Sequence, residues 1–375
     1  MSPASATVLN DTTTGQIGGI PVRNLWLLML YASQVFPQAH HGKVAVEDNP
    51  DDIPDLVAEI LARMVEKRLM RNLTFGYRPE NAVLSRVRGR IDLLGTERAQ
   101  LLLRGKVACR FENLTVNTPR NRYVRAALSA VARIVSRPDL AHRCRALSAG
   151  LKRLGVSGDV PTRVEISTGR YGRNDVDDQL MVAAAQLAFD MVLPTEMAGG
   201  RSIALPSRDV TWVRQLYEKA VGGFYDVVLS PHGWRVRMGQ TLGWLIEAKT
   251  SMIDEILPAM RTDIVLTHQE TRRRIVIDTK FTSILTRGWF REDSLRSGYL
   301  YQMYAYLRSQ EGNGDPLSDR ASGLLLHPSV GAMTDETVVI QGHAIRFGTV
   351  DLAATAGEIR GQLVRLVQVP CAAPQ

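Results

Sequence analysis

The 375-residue sequence is poor in cysteine and lacks any long apolar run. Its three cysteines, Cys109, Cys144 and Cys371, are far apart and odd in number. This excludes a disulfide framework or a cysteine zinc cluster and favours the reducing cytoplasm. No uninterrupted apolar window reaches the roughly 18 residues of a membrane span, so we expect no membrane association.

The sequence also lacks the common signatures of nucleotide hydrolysis and acyl transfer. It contains neither a GxxxxGK phosphate-binding loop nor a GxSxG nucleophile elbow. Its seven histidines are scattered without metal-ligand spacing. We therefore expect that the chain does not itself hydrolyse GTP or ATP.

Lysine is scarce although the chain is basic. The net charge is +8, and only 7 of the 46 basic residues are lysine. The net charge is compatible with nucleic acid as a partner but is weak support by itself. Because arginine supplies most of the positive charge, a lysine at a motif position carries more information.

The chain divides into a short tail and two predicted domains. Residues 1–19 are small and polar, and we expect them to be disordered. Residues 20–200 combine helical periodicity with a strand-like stretch at 82–116, which predicts an α+β domain. A Gly-, Pro- and Ser-containing linker at 197–209 then leads to an α/β domain over 206–375.

The stretch MRTDIVLTHQETRRRIVIDTKF, residues 260–281, reads as a β-hairpin with the polar turn QETRR. A turn centred between Glu270 and Thr271 places Asp263 opposite Asp278. Because side chains alternate along a strand, Asp278 and Lys280 share a face. Opposed side chains lie about 5 Å apart at Cβ, so the hairpin predicts two carboxylates and one ammonium group at a common point.

Two carboxylates at this range repel each other unless a cation lies between them. Mg²⁺ binds through one or two carboxylates, with waters and phosphate oxygens completing its shell. It can activate a bound water for attack on a phosphodiester, and Lys280 could orient that water or stabilise the developing negative charge. The pattern therefore predicts phosphodiester hydrolysis, whereas its structural alternative is an exposed Asp–Lys pair of little energetic weight.

Two further residues favour the catalytic interpretation. Glu218, on the predicted helix WVRQLYEKAVGGFY, could reach the same metal. Gln302, on the apolar helix LYQMYAYL, needs a polar partner, which a catalytic lysine or water could supply. A rival constellation of Asp226, Glu247 and Lys249 ranks second, because a turn at SPHG would pair Asp226 with about position 237.

The order of these blocks is that of the PD-(D/E)xK nucleases, and the sequence closely resembles the McrC family, the nuclease subunits of McrBC modified-cytosine restriction systems. The resemblance covers roughly residues 20 to 345. It is carried by the segments IPVRNLWLLMLYAS, GRIDLLGT, CRFENLTVNTPRNRYVRAAL, LYEK, MRTDIVL, IVIDTKF and LYQMYAYL.

The resemblance implies a restriction-endonuclease-like fold for 206–375 and an N-terminal domain that docks on a hexameric, McrB-like AAA+ GTPase. It implies that the partner binds GTP and usually reads the modified DNA, and that this chain cuts double-stranded DNA with Mg²⁺. By motif, Asp263, Asp278 and Lys280 are the catalytic core, Glu218 and Gln302 are accessory, and Asp263, Asp278 and Glu218 are the metal ligands. The resemblance does not locate the residues that stimulate the partner.

Two other functions remain open from the residues. The chain could be a non-catalytic adaptor of an AAA+ motor, or a stand-alone repair nuclease of the same fold.

The Arg-rich turns RVRGR and LLLRGK are candidates for stimulating a partner, because arginines at hairpin tips can reach a nucleotide's phosphates.

Overall fold

A computed structural model describes most of the chain. The described residues are 16–17, 20–33, 35, 52–162, 165–166, 176–199, 207–282, 284–286, 294–329 and 333–368. The chain forms two compact units. We call Met1–Ile53 with Leu193–Gln375 the sheet unit, and Pro54–Val192 the inserted unit.

Helices are numbered here in chain order over the described residues. They are α1 Val22–Ala32, α2 Ile53–Met70, α3 Leu93–Arg98, α4 Pro119–Val131, α5 Pro138–Arg153, α6 Val176–Gly199, α7 Ser207–Leu229, α8 Ile253–Ile256, α9 Ser297–Arg308, α10 Pro316–Asp319 and α11 Ala356–Gln368. None of them is long and apolar enough to cross a membrane.

The strands are numbered in the same way. They are β1 Gln16–Ile17, β2 Ile20–Pro21, β3 Gly76–Leu84, β4 Arg90–Ile91, β5 Val107–Thr115, β6 Trp234–Met238, β7 Thr241–Leu242, β8 Met260–Arg261, β9 Ile264–His268, β10 Arg273–Thr279, β11 Leu285–Thr286, β12 Ser294–Leu295, β13 Ser322–Ser329, β14 Asp335–Ile340 and β15 His343–Asp351.

A six-stranded mixed sheet in the order β14-β15-β13-β10-β9-β6 forms the centre of the sheet unit. The strands β6, β9 and β10 pair antiparallel, and β13 then adds parallel to β10. Helix α9 lies between β10 and β13 in the chain, as a parallel connection requires a crossover. Met303 and Leu307 of α9 pack with Val276, Leu325 and Phe347 of the sheet, and full burial of each such side chain contributes about 2 kcal/mol.

Helix α1 packs against α7 in the sheet unit. Gly223 is required at this contact, because a Cβ there would lie 1.9 Å from the backbone oxygen of Tyr31. Asn24 Nδ2 also donates hydrogen bonds to the backbone oxygens of Leu352 (2.7 Å) and Ala354 (2.9 Å). The predicted 20–200 domain therefore differs from the observed division, since α1 belongs with the later part of the chain.

The inserted unit contains the sheet β3-β5-β4 and helices. The strand-like stretch predicted at 82–116 is wrong over residues 93–104, which form α3 and a 3-10 turn at Leu101–Arg104. Asp92 explains the difference, because its carboxylate accepts a hydrogen bond from Gly95 N at 3.0 Å and caps α3. RVRGR therefore joins β3 to β4, and LLLRGK contains the 3-10 turn, so neither segment is a simple hairpin tip.

The other long predicted helices and strands are confirmed, including α2, α4, α5, α7, α9 and α11. The predicted linker at 197–209 overlaps α6 and the start of α7, and its residues 200–206 lie outside the described part of the chain. The tail predicted at 1–19 is described only at β1. Cys109 and Cys144 are buried free thiols, whereas Cys371 lies outside the described residues.

Candidate active site

The β9–β10 hairpin has the register predicted from its turn. The antiparallel pairs end at Ile264 opposite Ile277. Asp263 is the residue before this last pair on one strand, and Asp278 is the residue after it on the other. The predicted register of the hairpin is therefore confirmed, and Asp263 and Asp278 lie at the same end of it.

Asp278 and Lys280 form a buried ion pair. Asp278 Oδ2 lies 2.8 Å from Lys280 Nζ, and the two side chains are 1% and 8% exposed. The backbone N–H of Lys280 donates to Leu326 O at 2.9 Å, which extends the β10–β13 pairing past Thr279. Because the pair is buried, the alternative of an exposed surface pair is wrong. Burial of two charges costs free energy that only close geometry offsets.

Asp263 is held beside this pair by Thr279. Asp263 Oδ2 accepts hydrogen bonds from Thr279 N and Thr279 Oγ1, each at 2.7 Å. Thr279 is 4% exposed, whereas Asp263 is half-buried. Thr279 lies between Asp278 and Lys280 in the chain, so the strand that carries the ion pair also fixes the opposing carboxylate.

Burial and like charge raise the pKa of two carboxyl groups in this region. Burial raises the pKa of Asp278 to about 6; the charge of Lys280 opposes this shift, and that of Asp263 adds to it. Burial also raises the pKa of Glu218, again with a contribution from Asp263 and with opposing contributions from Arg261 and other basic side chains. Asp263 thus interacts unfavourably with both other carboxylates.

Glu218 lies on α7 and is half-buried. Within the described part of the chain, no group of three or more His, Cys, Asp or Glu side chains is arranged to hold a metal ion. The predicted ligand set of Asp263, Asp278 and Glu218 is therefore not assembled as a group of three, although electrostatic repulsion connects Glu218 to Asp263.

The pair formed by Asp263 and Asp278 nevertheless fits a hard divalent cation. Both ligands would be carboxylate oxygens, and Mg²⁺ takes one or two carboxylates with waters in its remaining positions. The repulsion that raises the pKa of Asp278 is also the interaction that a cation would reverse. The donor set therefore matches a magnesium site that two carboxylates supply.

Comparison with known proteins assigns the chain to a family. The model of the family described as "McrBC 5-methylcytosine restriction system component" matches residues 6–328. The chain belongs to this family.

Among curated relatives, the family member is similar to the "Type IV methyl-directed restriction enzyme EcoKMcrBC" of Escherichia coli (strain K12). The identity is 24% over 338 residues, which cover 89% of this chain and 93% of the relative. A solved structure of Thermococcus gammatolerans McrB AAA+ hexamers with bound McrC aligns over 92% of this chain and 76% of the solved chain, with 13% identity and a TM-score of 0.42.

In this McrBC family member, Gln302 contacts a tyrosine. Gln302 Nε2 donates to Tyr306 Oη at 2.5 Å, and Tyr306 Oη donates to Arg261 O at 2.7 Å. The partner expected for Gln302, a lysine or water, is thus replaced by Tyr306. Arg261 lies two residues before Asp263, so this chain of hydrogen bonds connects α9 to the strand that leads into the site. Helical spacing could have found Tyr306, which is one turn after Gln302.

Tyr299 and His327 are site neighbours that the sequence did not indicate. Lys280 Nζ lies 5.1 Å from the centre of the Tyr299 ring, within range of a cation–π contact. The rings of Tyr299 and His327 are 5.8 Å apart. His327 Nδ1 lies 2.8 Å from Thr282 O, and because a carbonyl only accepts, Nδ1 carries the proton. Burial lowers the pKa of His327, and the charge of Lys280 lowers it further.

The rival constellation is not assembled. Asp226 lies inside α7 and accepts a hydrogen bond from Ser230 Oγ at 2.8 Å. Lys249 pairs instead with Asp254 at 2.6 Å, in an exposed segment outside any strand. The predicted SPHG turn is present as the 3-10 turn Ser230–His232, but it joins α7 to β6, so Asp226 is not paired with position 237 across a hairpin. Of the two constellations predicted, the described residues assemble the one at Asp263, Asp278 and Lys280.

Proposed function

We propose that this McrBC family member is the DNA endonuclease subunit of a modification-dependent restriction system. The observation that carries the proposal is the buried Asp278–Lys280 pair at the end of β10, with Asp263 fixed beside it. A buried ammonium group next to two repelling carboxylates has a high electrostatic cost. Functional sites are where such arrangements cluster.

The sheet topology supports a PD-(D/E)xK nuclease. An antiparallel β6–β9–β10 meander, the helix α9 and the parallel strand β13 follow one another. The carboxylates and lysine lie where β9 begins and β10 ends. The sheet thus places the three motif residues of the proposed nuclease at one edge.

Asp263 and Asp278 are the proposed ligands that would hold Mg²⁺, with Glu218 as a nearby accessory carboxylate. Bound Mg²⁺ would lower the pKa of a coordinated water and neutralise charge on the scissile phosphate. Thr279 orients Asp263 through its two hydrogen bonds. Asp278 and Tyr299 direct the Lys280 ammonium group, which donates hydrogen bonds to the attacking water or to the phosphate oxygen on which charge develops.

The proposed partner is a McrB-like AAA+ GTPase hexamer. This chain stimulates the hydrolysis of GTP by that partner. The family description and the name of the E. coli relative both support a role in an McrBC system. The sequence has no GxxxxGK loop, so the GTP would be bound by the partner. The proposed substrate is double-stranded DNA with modified cytosine.

The test is a reconstitution with the purified chain, an AAA+ GTPase from the same genome, GTP, Mg²⁺ and DNA with or without 5-methylcytosine. We expect cleavage only with both proteins, GTP, Mg²⁺ and the modified base. GTPase stimulation without cleavage would instead identify a non-catalytic adaptor. The lack of a three-ligand metal group in the described residues is the observation that favours this alternative. Cleavage by the chain and Mg²⁺ alone would identify a stand-alone nuclease.

A further inference from the structure

Five arginines line a cavity of about 170 Å³ at the end of the sheet opposite to the candidate active site. They are Arg272, Arg273, Arg274, Arg320 and Arg346. The strand β10 separates the two places: its first residue, Arg273, lines the cavity, and Asp278 lies near its last. The five residue steps from Arg273 to Asp278, at about 3.3 Å each, span about 17 Å, so the cavity is distinct from the carboxylate site.

Three of these arginines have internal structural roles. Arg346 pairs with Asp335 through two contacts of 2.6 and 2.7 Å, and it donates to Leu366 O. Arg273 donates to Val367 O at 2.8 Å. Cations at the C-terminus of α11 are stabilising, because they face its last carbonyl groups.

Arg274 is only partly satisfied. Its Nη1 contacts Asp315 Oδ2 and Ser318 Oγ, both at 2.7 Å. Its Nε is buried and has no hydrogen-bond acceptor among the described residues. Because side chains alternate along β10, the Arg274 side chain lies on the face opposite to that of Arg273 and packs beside α10 rather than in the cavity.

Arg272 and Arg320 have no internal role in the part of the chain that the structure describes. Both are exposed, and neither side chain has a hydrogen bond or an ion pair there. They come from different segments, the β9–β10 turn and the residues before β13. No Asp or Glu lines the cavity. Asp335 and Asp315, which lie outside it, pair with Arg346 and Arg274, whereas Arg272 and Arg320 have no acidic partner among the described residues.

We infer that this arginine-lined cavity binds a phosphate group. Guanidinium groups recognise phosphate through paired N–H donors, and they do so better than lysine because the fork is planar and always charged. The cavity can hold a phosphate group with some of its waters, given about 30 Å³ per water. The phosphate belongs either to the backbone of bound DNA or to a small phosphate ligand. The inference does not depend on the catalytic assignment of Asp263, Asp278 and Lys280.

The test compares the full-length protein with the double variant Arg272→Ala/Arg320→Ala. The matched control is Arg235→Ala/Arg237→Ala, which removes two exposed charges from β6 of the same sheet. Circular dichroism checks that all three proteins are folded. Two measurements follow: binding of fluorescent duplex DNA in EDTA as a function of salt, and the change in melting temperature with inorganic phosphate at constant ionic strength.

We expect phosphate to raise the melting temperature of the wild type and of the control, but not that of the cavity variant. If the ligand is DNA, the slope of log K against log salt becomes shallower by about 1 to 2 in the cavity variant only. If phosphate raises the melting temperature as expected but the salt slope of DNA binding is unchanged in the cavity variant, the ligand is a small phosphate compound. The inference is overturned if neither measurement distinguishes the cavity variant from the control.

Discussion

Thr279 donates two hydrogen bonds to the Asp263 carboxylate, from its backbone nitrogen and its hydroxyl group, each at 2.7 Å. Thr279 is also the residue between Asp278 and Lys280. The contact therefore joins the residue before β9 to the end of β10 beyond the last backbone pair, Ile264 with Ile277. The position of the Asp263 carboxylate therefore depends on β10, the strand that carries Asp278 and leads directly to Lys280.

Replacing Thr279 by valine removes the hydroxyl donor and keeps the shape of the side chain. We expect Thr279→Val to lower the free energy of unfolding by about 1 kcal/mol, because Asp263 then accepts one hydrogen bond instead of two. For the same reason, we expect the rate of metal-dependent cleavage to fall about tenfold. Urea unfolding and single-turnover cleavage measure the two effects. Thr279→Ser keeps the hydroxyl group and should restore cleavage, although the loss of a buried methyl group lowers its stability. Cleavage by the valine variant at the wild-type rate would contradict a role for this contact.

The raised pKa of Asp278 predicts how stability and metal binding depend on pH. Because the folded-state pKa, about 6, exceeds the ordinary value of 3.8, the protonated group favours the folded chain. This contribution is complete below pH 4 and is lost as the pH rises through 6. A bound cation needs the ionised carboxylate, so its stabilising effect should increase between pH 5 and 7.

The measurement is the increase in melting temperature on addition of Mn²⁺, recorded at several values of pH between 5 and 8. The wild type should show a larger increase at pH 7 than at pH 5. Asp278→Asn should show no such step, because the titrating group is gone. An increase that is independent of pH in the wild type would show that Asp278 is not a ligand.

The ring of Tyr299 is predicted to hold the Lys280 amine. A cation–π contact of a buried ammonium group contributes up to about 2 kcal/mol, so Tyr299→Leu should lower kcat by up to about 30-fold. Tyr299→Phe keeps the ring face and should retain near-wild-type kcat. KM for DNA should stay unchanged in both variants. Equal losses in the leucine and phenylalanine variants would assign the effect to the Tyr299 hydroxyl, which lies 3.4 Å from Thr282 Oγ1.

The hydroxyl of Tyr306 is predicted to stabilise the segment at Arg261, which leads to Asp263. Tyr306→Phe removes a donor to Arg261 O and an acceptor for Gln302, and leaving these groups unpaired costs about 1 to 3 kcal/mol. Thermal or urea unfolding should detect this loss. Tyr301→Phe is the matched control, because Tyr301 lies on the same helix and is 67% exposed. Equal stability of the two variants would contradict the role assigned to Tyr306.

The hairpin was predictable because local features determine it. A polar turn between two apolar runs sets the register, and alternation along the strand then places Asp278 and Lys280 on one face. The long helices were equally predictable from their periodicity. The burial of Lys280, in contrast, depends on β13 and α9, which lie far from it in the chain.

Other features depend on contacts that the sequence pattern does not contain. Residues 93–104 have apolar side chains typical of strands, but the cap formed by Asp92 starts a helix there. Helix α1 belongs to the sheet unit because Gly223 allows it to approach α7 closely. Gln302 bonds to Tyr306, whereas chain order alone only indicated that it needed a partner.

The most direct test of the account is the effect of Asp278→Ala on two activities of the reconstituted system. With the GTPase partner, Mg²⁺ and modified DNA, we expect this variant to lose cleavage while stimulating GTP hydrolysis as the wild type does. Retained stimulation shows that the variant is folded and docked. Cleavage by Asp278→Ala at the wild-type rate would contradict the assignment of the β9–β10 hairpin as the catalytic site.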